Sequence, residues 1–224
     1  MASAAPPVIA IDGPSASGKG TVAQGVAGAL GYHYLNSGAL YRIVTLLALE
    51  SGANLENESI LCDIALTLNV KFIQDSIDSG GRDVTDAIQS ETVGVEASKI
   101  AARPAVRNAL LTRQRAFRQP PGLVADGRDM GSVVFPDAAL KIYLTASLEA
   151  RAERRYKQLM DKGMSATMTA LLQDIRARDE RDTNRAVAPL KKGVDAVLID
   201  TTKLSAADAV AQVLALYEQA TQAP

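Results

Sequence analysis

The stretch Gly13-Pro14-Ser15-Ala16-Ser17-Gly18-Lys19-Gly20-Thr21 carries the clearest chemistry in this sequence. It fits G-x-x-x-x-G-K, in which small residues let backbone N–H groups curl around an anion and the lysine reaches the β/γ-phosphates of a nucleotide. A β-branched run, Val8-Ile9-Ala10-Ile11-Asp12, precedes it, and apolar residues return at helical spacing from Thr21 to Leu30 with Gly31 closing the segment. Strand, loop and helix are therefore predicted, and a chance turn of small residues lacks that order. All nine residues from Gly13 to Thr21 are expected to bind the phosphates. Gly20 stands where the commonest form has the Ser or Thr that holds Mg²⁺, and the hydroxyl comes one residue later at Thr21. Thr21, Asp12 and Asp126 are the candidate Mg²⁺ contacts, directly or through water. Asp12 is equally suited to capping the loop's own backbone.

Other charged groups fall at strand ends. Asn36-Ser37 can cap a helix that follows a strand, which puts Ser37, Tyr41 and Arg42 where open α/β sheets bind ligands. A single arginine such as Arg42 has a solvated helix position as its plain alternative. Gly122 to Asp126 reads as a buried strand ending in a carboxylate, followed at once by Gly127-Arg128-Asp129-Met130-Gly131. Near the C-terminus, Ser147 to Lys162 carries Arg151, Arg154 and Arg155. After Gly163 a second helix ends in Arg176, Arg178, Asp179, Glu180, Arg181, Asp182, Asn184 and Arg185. A solvated, salt-bridged hairpin has the same alternation of sign. Its place after a core strand points instead to a cover that closes over phosphates and expels water.

The elements that must position these groups form five alternating β/α units. The strands are expected at Val8–Asp12, Tyr32–Leu35, Gly122–Asp126, Leu140–Leu144 and Ala196–Asp200. Asn57 to Leu68 is expected to be helical, with Cys62 buried on its apolar face. Between Val70 and about Val95 a small β-rich insertion is predicted: a strand Val70–Ile73, a turn at Ser79-Gly80-Gly81 and a return strand Asp83-Val84-Thr85. Helices follow from Val93 to Ala102 and from Pro104 to about Arg118. Most of Arg103, Arg107, Arg113, Arg115 and Arg118 are expected to face solvent. A last helix from Ala206 to Ala220 has Ser205 and Asp208 at capping-box spacing.

Composition narrows the class. A chain of 224 residues with 47% hydrophobic content suits one α/β domain with an insertion, and a formal charge of −1 supplies no global field for nucleic acid or an anionic membrane. The single cysteine rules out an intrachain disulfide, no Cys/His cluster suggests a metal site, and the lone His33 reads as structural. With no signal peptide or membrane-length apolar run in view, a cytoplasmic protein is expected.

A phosphate loop alone fits kinases, GTPase switches and mechanical ATPases. Guanine recognition requires N/T-K-x-D, and the nearest match, Thr202-Lys203-Leu204-Ser205, ends in the wrong residue. The arginine-rich hairpin favours a small-molecule kinase over a switch or regulatory module, with the acceptor left open among small molecules.

The G-x-x-x-x-G-K-G-T form resembles the nucleoside monophosphate kinases. Four further segments resemble the bacterial cytidylate kinases: Asn36 to Arg42, Asp126 to Gly131, Arg178 to Arg185, and Ala186-Val187-Ala188-Pro189-Leu190. The resemblance spans nearly the whole chain, and these motifs together are specific. It implies an α/β P-loop kinase with a central five-stranded parallel sheet flanked by helices. One domain over 1–224 would carry a CMP-binding insertion at about 70–102 and a helical lid at about 150–185. It implies transfer of the γ-phosphate of ATP to CMP and dCMP, with Mg²⁺, by a monomer. Carried across, Arg42, Arg128 and Arg185 would hold the CMP phosphate, with Ser37 nearby. Ser98, Arg107 and Asp129 would read the cytosine, and Asp182 the ribose hydroxyls. Lys19, Arg128, Arg178, Arg181 and Arg185 would neutralise charge developing during transfer.

Overall fold

Val8, Ile9, Ala10 and Ile11 are all fully buried, so the first strand has two dry faces, as the central strand of a parallel sheet must. The computed structural model describes residues 5–73, 76–161 and 163–222. In chain order, β1 (Val8–Asp12) leads into α1 (Lys19–Leu30), then β2 (His33–Asn36), α2 (Ser37–Glu50) and α3 (Glu58–Thr67). A small sheet follows, with β3 (Val70–Ile73), β4 (Ser76–Ser79) and β5 (Arg82–Asp83). Then come α4 (Glu91–Ile100), α5 (Pro104–Ala116), β6 (Leu123–Gly127), β7 (Leu140–Thr145), α6 (Leu148–Asp161), α7 (Met168–Asn184), β8 (Val197–Asp200) and α8 (Ala206–Gln222).

The main sheet has the order β2-β6-β1-β7-β8, and every pairing in it is parallel. The five strands are those the apolar runs predict. β1 is the switch point: the chain leaves it toward β2 and β6 on one side and returns to β7 on the other, and ligands of such sheets sit at the strand C-termini there. The register brings Asp12 beside Gly127 and Tyr143.

Strand alternation divides the core. Val8, Ala10, Leu35, Leu123 and Ala125 face a cluster built with α2 to α5, whereas Ile9, Ile11, Val124, Ile142, Leu144 and Ile199 face α1 and α8. A third, small cluster of Ala152, Leu159, Leu171 and Ile175 joins α6 to α7, so the hairpin has a core of its own.

Several expectations need correction. The insertion is a three-stranded antiparallel sheet rather than a hairpin, since Ser76–Ser79, with a single apolar residue, also pairs. Its last strand stops at Asp83 because the Thr85 hydroxyl takes over the pairing, accepting from the Ile77 N–H at 2.8 Å and donating to Asp83 at 2.6 Å. Gly80 and Gly81 make the expected turn. The arginines on and flanking α5 do not mostly face solvent: Arg107 is buried, Arg103, Arg113 and Arg118 are half-buried, and Arg115 is exposed. Their guanidinium groups reach fixed partners, as in Arg103 to Glu56 at 2.7 Å, Arg118 to the Pro6 carbonyl at 2.6 Å and Arg115 to the Val134 carbonyl at 3.0 Å. Cys62 packs against the main core from a half-buried position instead of lying inside it. His33 sits on an exposed strand end beside the Pro120 carbonyl, 3.0 Å away. Ser205 caps the Asp208 N–H at 3.1 Å, but its partner carboxylate bonds the Ser205 hydroxyl in place of a backbone N–H. Lys162, the expected end of the first hairpin helix, lies outside the described residues.

Truncating the central strand should be felt by the whole domain. Ile11→Ala is expected to lower unfolding stability by about 2–5 kcal/mol, measured by urea titration. Leu171→Ala, in the hairpin's small cluster, should shift the main transition less and instead raise the protease sensitivity of residues 148–184.

Candidate active site

The loop between β1 and α1 is held open by backbone conformations that few residue types tolerate. Gly13 has φ +154°, and a Cβ there would lie 2.0 Å from the Leu144 carbonyl oxygen of β7, so only glycine fits. Gly18, at φ +91°, is the N-cap of α1, and Ala16 sits at φ +57°, a left-handed conformation that costs a non-glycine residue roughly 1–2 kcal/mol. Such strain persists where the surroundings over-determine it, and here they do. Arg151 donates to the Ser15 carbonyl at 3.1 Å, Arg154 to the Ser17 carbonyl at 3.2 Å, and the Thr201 hydroxyl to the same Ser17 carbonyl at 3.1 Å.

Lys19, the first residue of α1, is buried and donates from Nζ to the Pro14 carbonyl at 2.7 Å. Burial, followed by the nearby Arg128 charge, lowers its ammonium to about 7. Asp126, at the end of β6, is also buried, and burial raises its carboxyl while Lys19 opposes the shift. Tyr34 of β2 donates to Asp126 at 2.6 Å.

The eight residues expected to bind CMP converge on one cleft at the C-terminal ends of β1, β2 and β6. Six cationic side chains, Lys19, Arg42, Arg107, Arg128, Arg178 and Arg185, line it against three carboxylates, Asp126, Asp129 and Asp182. Arg107 pairs with Asp129 in a tight buried contact and lies over the Tyr41 ring, 5.8 Å from its centroid. Arg185 Nη2 approaches Asp129 at 3.5 Å, and Arg128 Nε donates to Asp182 at 2.7 Å. Burial alone would raise the Asp182 carboxyl, but Arg128 and Arg178 hold it below the usual carboxylate range. Burial, then Arg128 and Arg42, pushes the Arg178 guanidinium down to about 9; burial, then Arg155, takes Arg42 to about 10. Arg178 Nε and Arg185 Nη2 are buried without a hydrogen-bond acceptor. Cations so placed favour an anionic ligand in the cleft.

Ser37 is buried at the start of α2, which Asn36 caps by accepting from the Ala39 N–H at 3.0 Å. Ser98 is buried on α4 and lines the same cleft, not the helix surface. Arg181 sits just outside, lining the adjoining crevice with its Nε on the Ser98 hydroxyl at 3.2 Å. Of the hairpin arginines, Arg155 faces Glu91 of α4 at 3.6 Å, while Arg151 and Arg154 grip the loop. Asp12 does not cap its own loop. Its two oxygens accept from the Met130 and Gly131 N–H groups, at 2.8 and 2.9 Å, which ties β1 to the turn after Asp129. Burial, against those two bonds, raises its carboxyl to about 6. Among the described residues no cluster of three carboxylate, His or Cys groups could hold a metal by itself.

A second crevice lies on the other side of the loop, between α1, α6 and α8. Thr21, Arg154, Thr201 and Leu204 line it, and sequence reasoning assigned only Thr21 of these. Thr201 follows the last residue of β8, so the strand-end rule was the signal that could have found it. The loop's contacts with Asp179 were equally missed.

Comparison with known proteins agrees with this geometry. The family model described as Cytidylate kinase matches residues 9–219. A cytidylate kinase from Nitrosomonas europaea is 55% identical over 217 residues, covering 97% of this chain and 97% of its own. One from Cupriavidus pinatubonensis is 57% identical over 207 residues, with 92% and 94% covered. A solved structure of an uncharacterized protein from Eubacterium ventriosum aligns with a TM-score of 0.50 at 11% identity, covering 95% of this chain and 98% of that one, a likeness of fold alone.

Burial holds the Lys19 ammonium down to about 7, so a phosphate-binding role for Lys19 predicts an affinity that falls as pH rises through that value. Calorimetric titration with ATP from pH 6 to 8.5 is expected to show the wild type losing affinity relative to Lys19→Arg, whose guanidinium stays charged. Parallel pH curves for the two proteins would remove the lysine from that role.

Proposed function

The chain belongs to the cytidylate kinase family and is an ATP-dependent kinase that phosphorylates CMP to CDP; we propose that it does so by direct in-line displacement and accepts dCMP as well. The buried excess of cations in a cleft built on a phosphate loop is the observation that carries this reading. Two phosphorylated substrates repel one another, and positive charge at the junction offsets that repulsion. The acceptor phosphate is already ionised, so an oxygen of CMP attacks the γ-phosphorus while the bond to the β-phosphate oxygen of ADP breaks, and no strong general base is needed.

In this reading the loop from Gly13 to Thr21 cradles the donor phosphates with Lys19 on the β/γ end. The crevice beside Thr21, Arg154 and Thr201 takes the donor base. Arg42, Arg128 and Arg185 hold the CMP phosphate beside Ser37. Ser98, Arg107 and Asp129 read the cytosine, Asp129 accepting from its amino group, and Asp182 accepts from the ribose hydroxyls. Arg178 neutralises charge on the transferring group, and Arg181 closes the lid over Ser98. The donor set fits Mg²⁺ that arrives with ATP and keeps several waters: Asp126 would hold it through water, since both Asp12 oxygens accept backbone bonds. An ion held there would supply positive charge that offsets the charge of the transferring phosphates. A cytoplasmic monomer fits these small soluble substrates, and no helix among the described residues is long and apolar enough to cross a membrane.

A coupled assay of ADP release over CMP, dCMP, UMP and AMP tests the acceptor. CMP and dCMP are expected to lead, and a preference for UMP or AMP would overturn the specificity. Lys19→Ala and Arg185→Ala should each lower kcat on the order of 10³-fold while remaining folded by circular dichroism. Near-normal turnover in either variant would remove that residue from the proposed chemistry.

A further inference from the structure

Ser15 is a phosphate-loop residue, yet its donors are engaged from the lid. Its N–H and its hydroxyl both bond Oδ1 of Asp179, at 3.2 and 3.1 Å, across 164 positions of sequence. The second oxygen of Asp179 accepts from Arg151 Nη1, and that same nitrogen donates to the Ser15 carbonyl at 3.1 Å. Arg151 is further fixed by Nε on the Ala146 carbonyl at 3.1 Å. Loop, α6 and α7 thus close a ring of hydrogen bonds, and Ser15 and Arg151 are only 6% and 7% exposed. Asp179 immediately follows Arg178, whose buried guanidinium enters the cleft, and precedes Asp182 by less than one helical turn.

We propose that Asp179 is a positioning residue, a clasp that docks the lid helix α7 onto Ser15 so that Arg178 is delivered over the transferring phosphate. The third position of the loop then serves lid docking, while the remaining loop amides serve the anion. Three features support this assignment. A carboxylate accepting from a backbone N–H, a hydroxyl and a guanidinium together is strongly directional. Arg151 binds both the carboxylate and the loop carbonyl, so neither helix can shift without breaking the ring. The lid's cluster has four buried residues and meets the loop only through partly buried Ala16, so the hydrogen-bonded ring supplies directional contacts that this packing lacks.

This inference rests on the reading of the cleft as a CMP kinase, and a double-mutant cycle separates the two. Steady-state kinetics with ATP and CMP are measured for the wild type, Ser15→Ala, Asp179→Ala and the double variant, with thermal melts alongside. A clasp predicts that Asp179→Ala lowers kcat about a hundredfold, the scale of a small misplacement of a catalytic group, with little change in either KM. Ser15→Ala should lower kcat in the wild-type background and cause no further loss when Asp179 is already Ala. Multiplying losses, or a loss confined to the KM for ATP, would overturn the clasp. Should Asp179→Ala fail to fold, Asp179→Leu takes its place in the same cycle, since it fills a similar space and offers Ser15 and Arg151 no acceptor. A wild type without CMP-dependent ADP release would overturn the kinase reading itself; CMP-dependent wild type with multiplying variants would overturn the clasp alone.

Discussion

Positive charge held out of water at the C-terminal ends of β1 and β6 is the constraint on which the rest of this structure depends. Desolvating a cation costs several kcal/mol unless hydrogen bonds and opposite charge compensate it. Asp126, Asp129 and Asp182 supply part of that compensation, and the tight Arg107–Asp129 and Arg128–Asp182 pairs show where. It is incomplete. Lys19, Arg178 and Arg42 are all shifted toward the neutral form by burial first and by other cations next. Polar hydrogens of Arg178 and Arg185 remain buried without acceptors. A site in that condition gains most from a ligand that brings several negative oxygens, and phosphates do so.

Holding charges there requires a rigid frame. β1 provides it by pairing in parallel on both sides while its residues alternate between two cores, so the loop that leaves it starts from a fixed point. Asp12 extends the frame: its bonds to the Met130 and Gly131 amides lock the turn that follows Asp129 against the start of the loop. The turn that follows β6 and the loop that leaves β1 are thereby registered to one another through a single carboxylate.

The lid divides its arginines between two tasks. Arg151 and Arg154 bind loop carbonyls and hold the strained loop in place, whereas Arg178 enters the cleft and Arg181 reaches Ser98. One residue type does both because guanidinium offers five donors in a fixed plane, suited equally to carbonyl oxygens and to phosphate. The hairpin's charge pattern is therefore compatible with a cover, because Arg151 and Arg154 brace the loop while Arg178 enters the cleft.

Local signals in the sequence determined the five core strands, the strand-loop-helix around Lys19 and, through motif resemblance, the family. Each depends on periodicity, small-residue spacing or residue type over a short window, and short windows encode these directly. The three-stranded insertion was misread because its middle strand, Ser76–Ser79, carries a single apolar residue and gives no alternation, while a Thr85 hydroxyl ends the last strand early. The arginines on and flanking α5 were misplaced because their partners lie at Glu56, Pro6 and Val134, outside the helix's own stretch of sequence. Which arginine faces the cleft and which grips the loop, why Asp12 holds Met130 and Gly131, and how Asp179 meets Ser15 were decided only by the tertiary structure. Those pairings join residues tens to more than a hundred positions apart, and the geometry that selects among equal side chains exists only once the sheet and lid have packed.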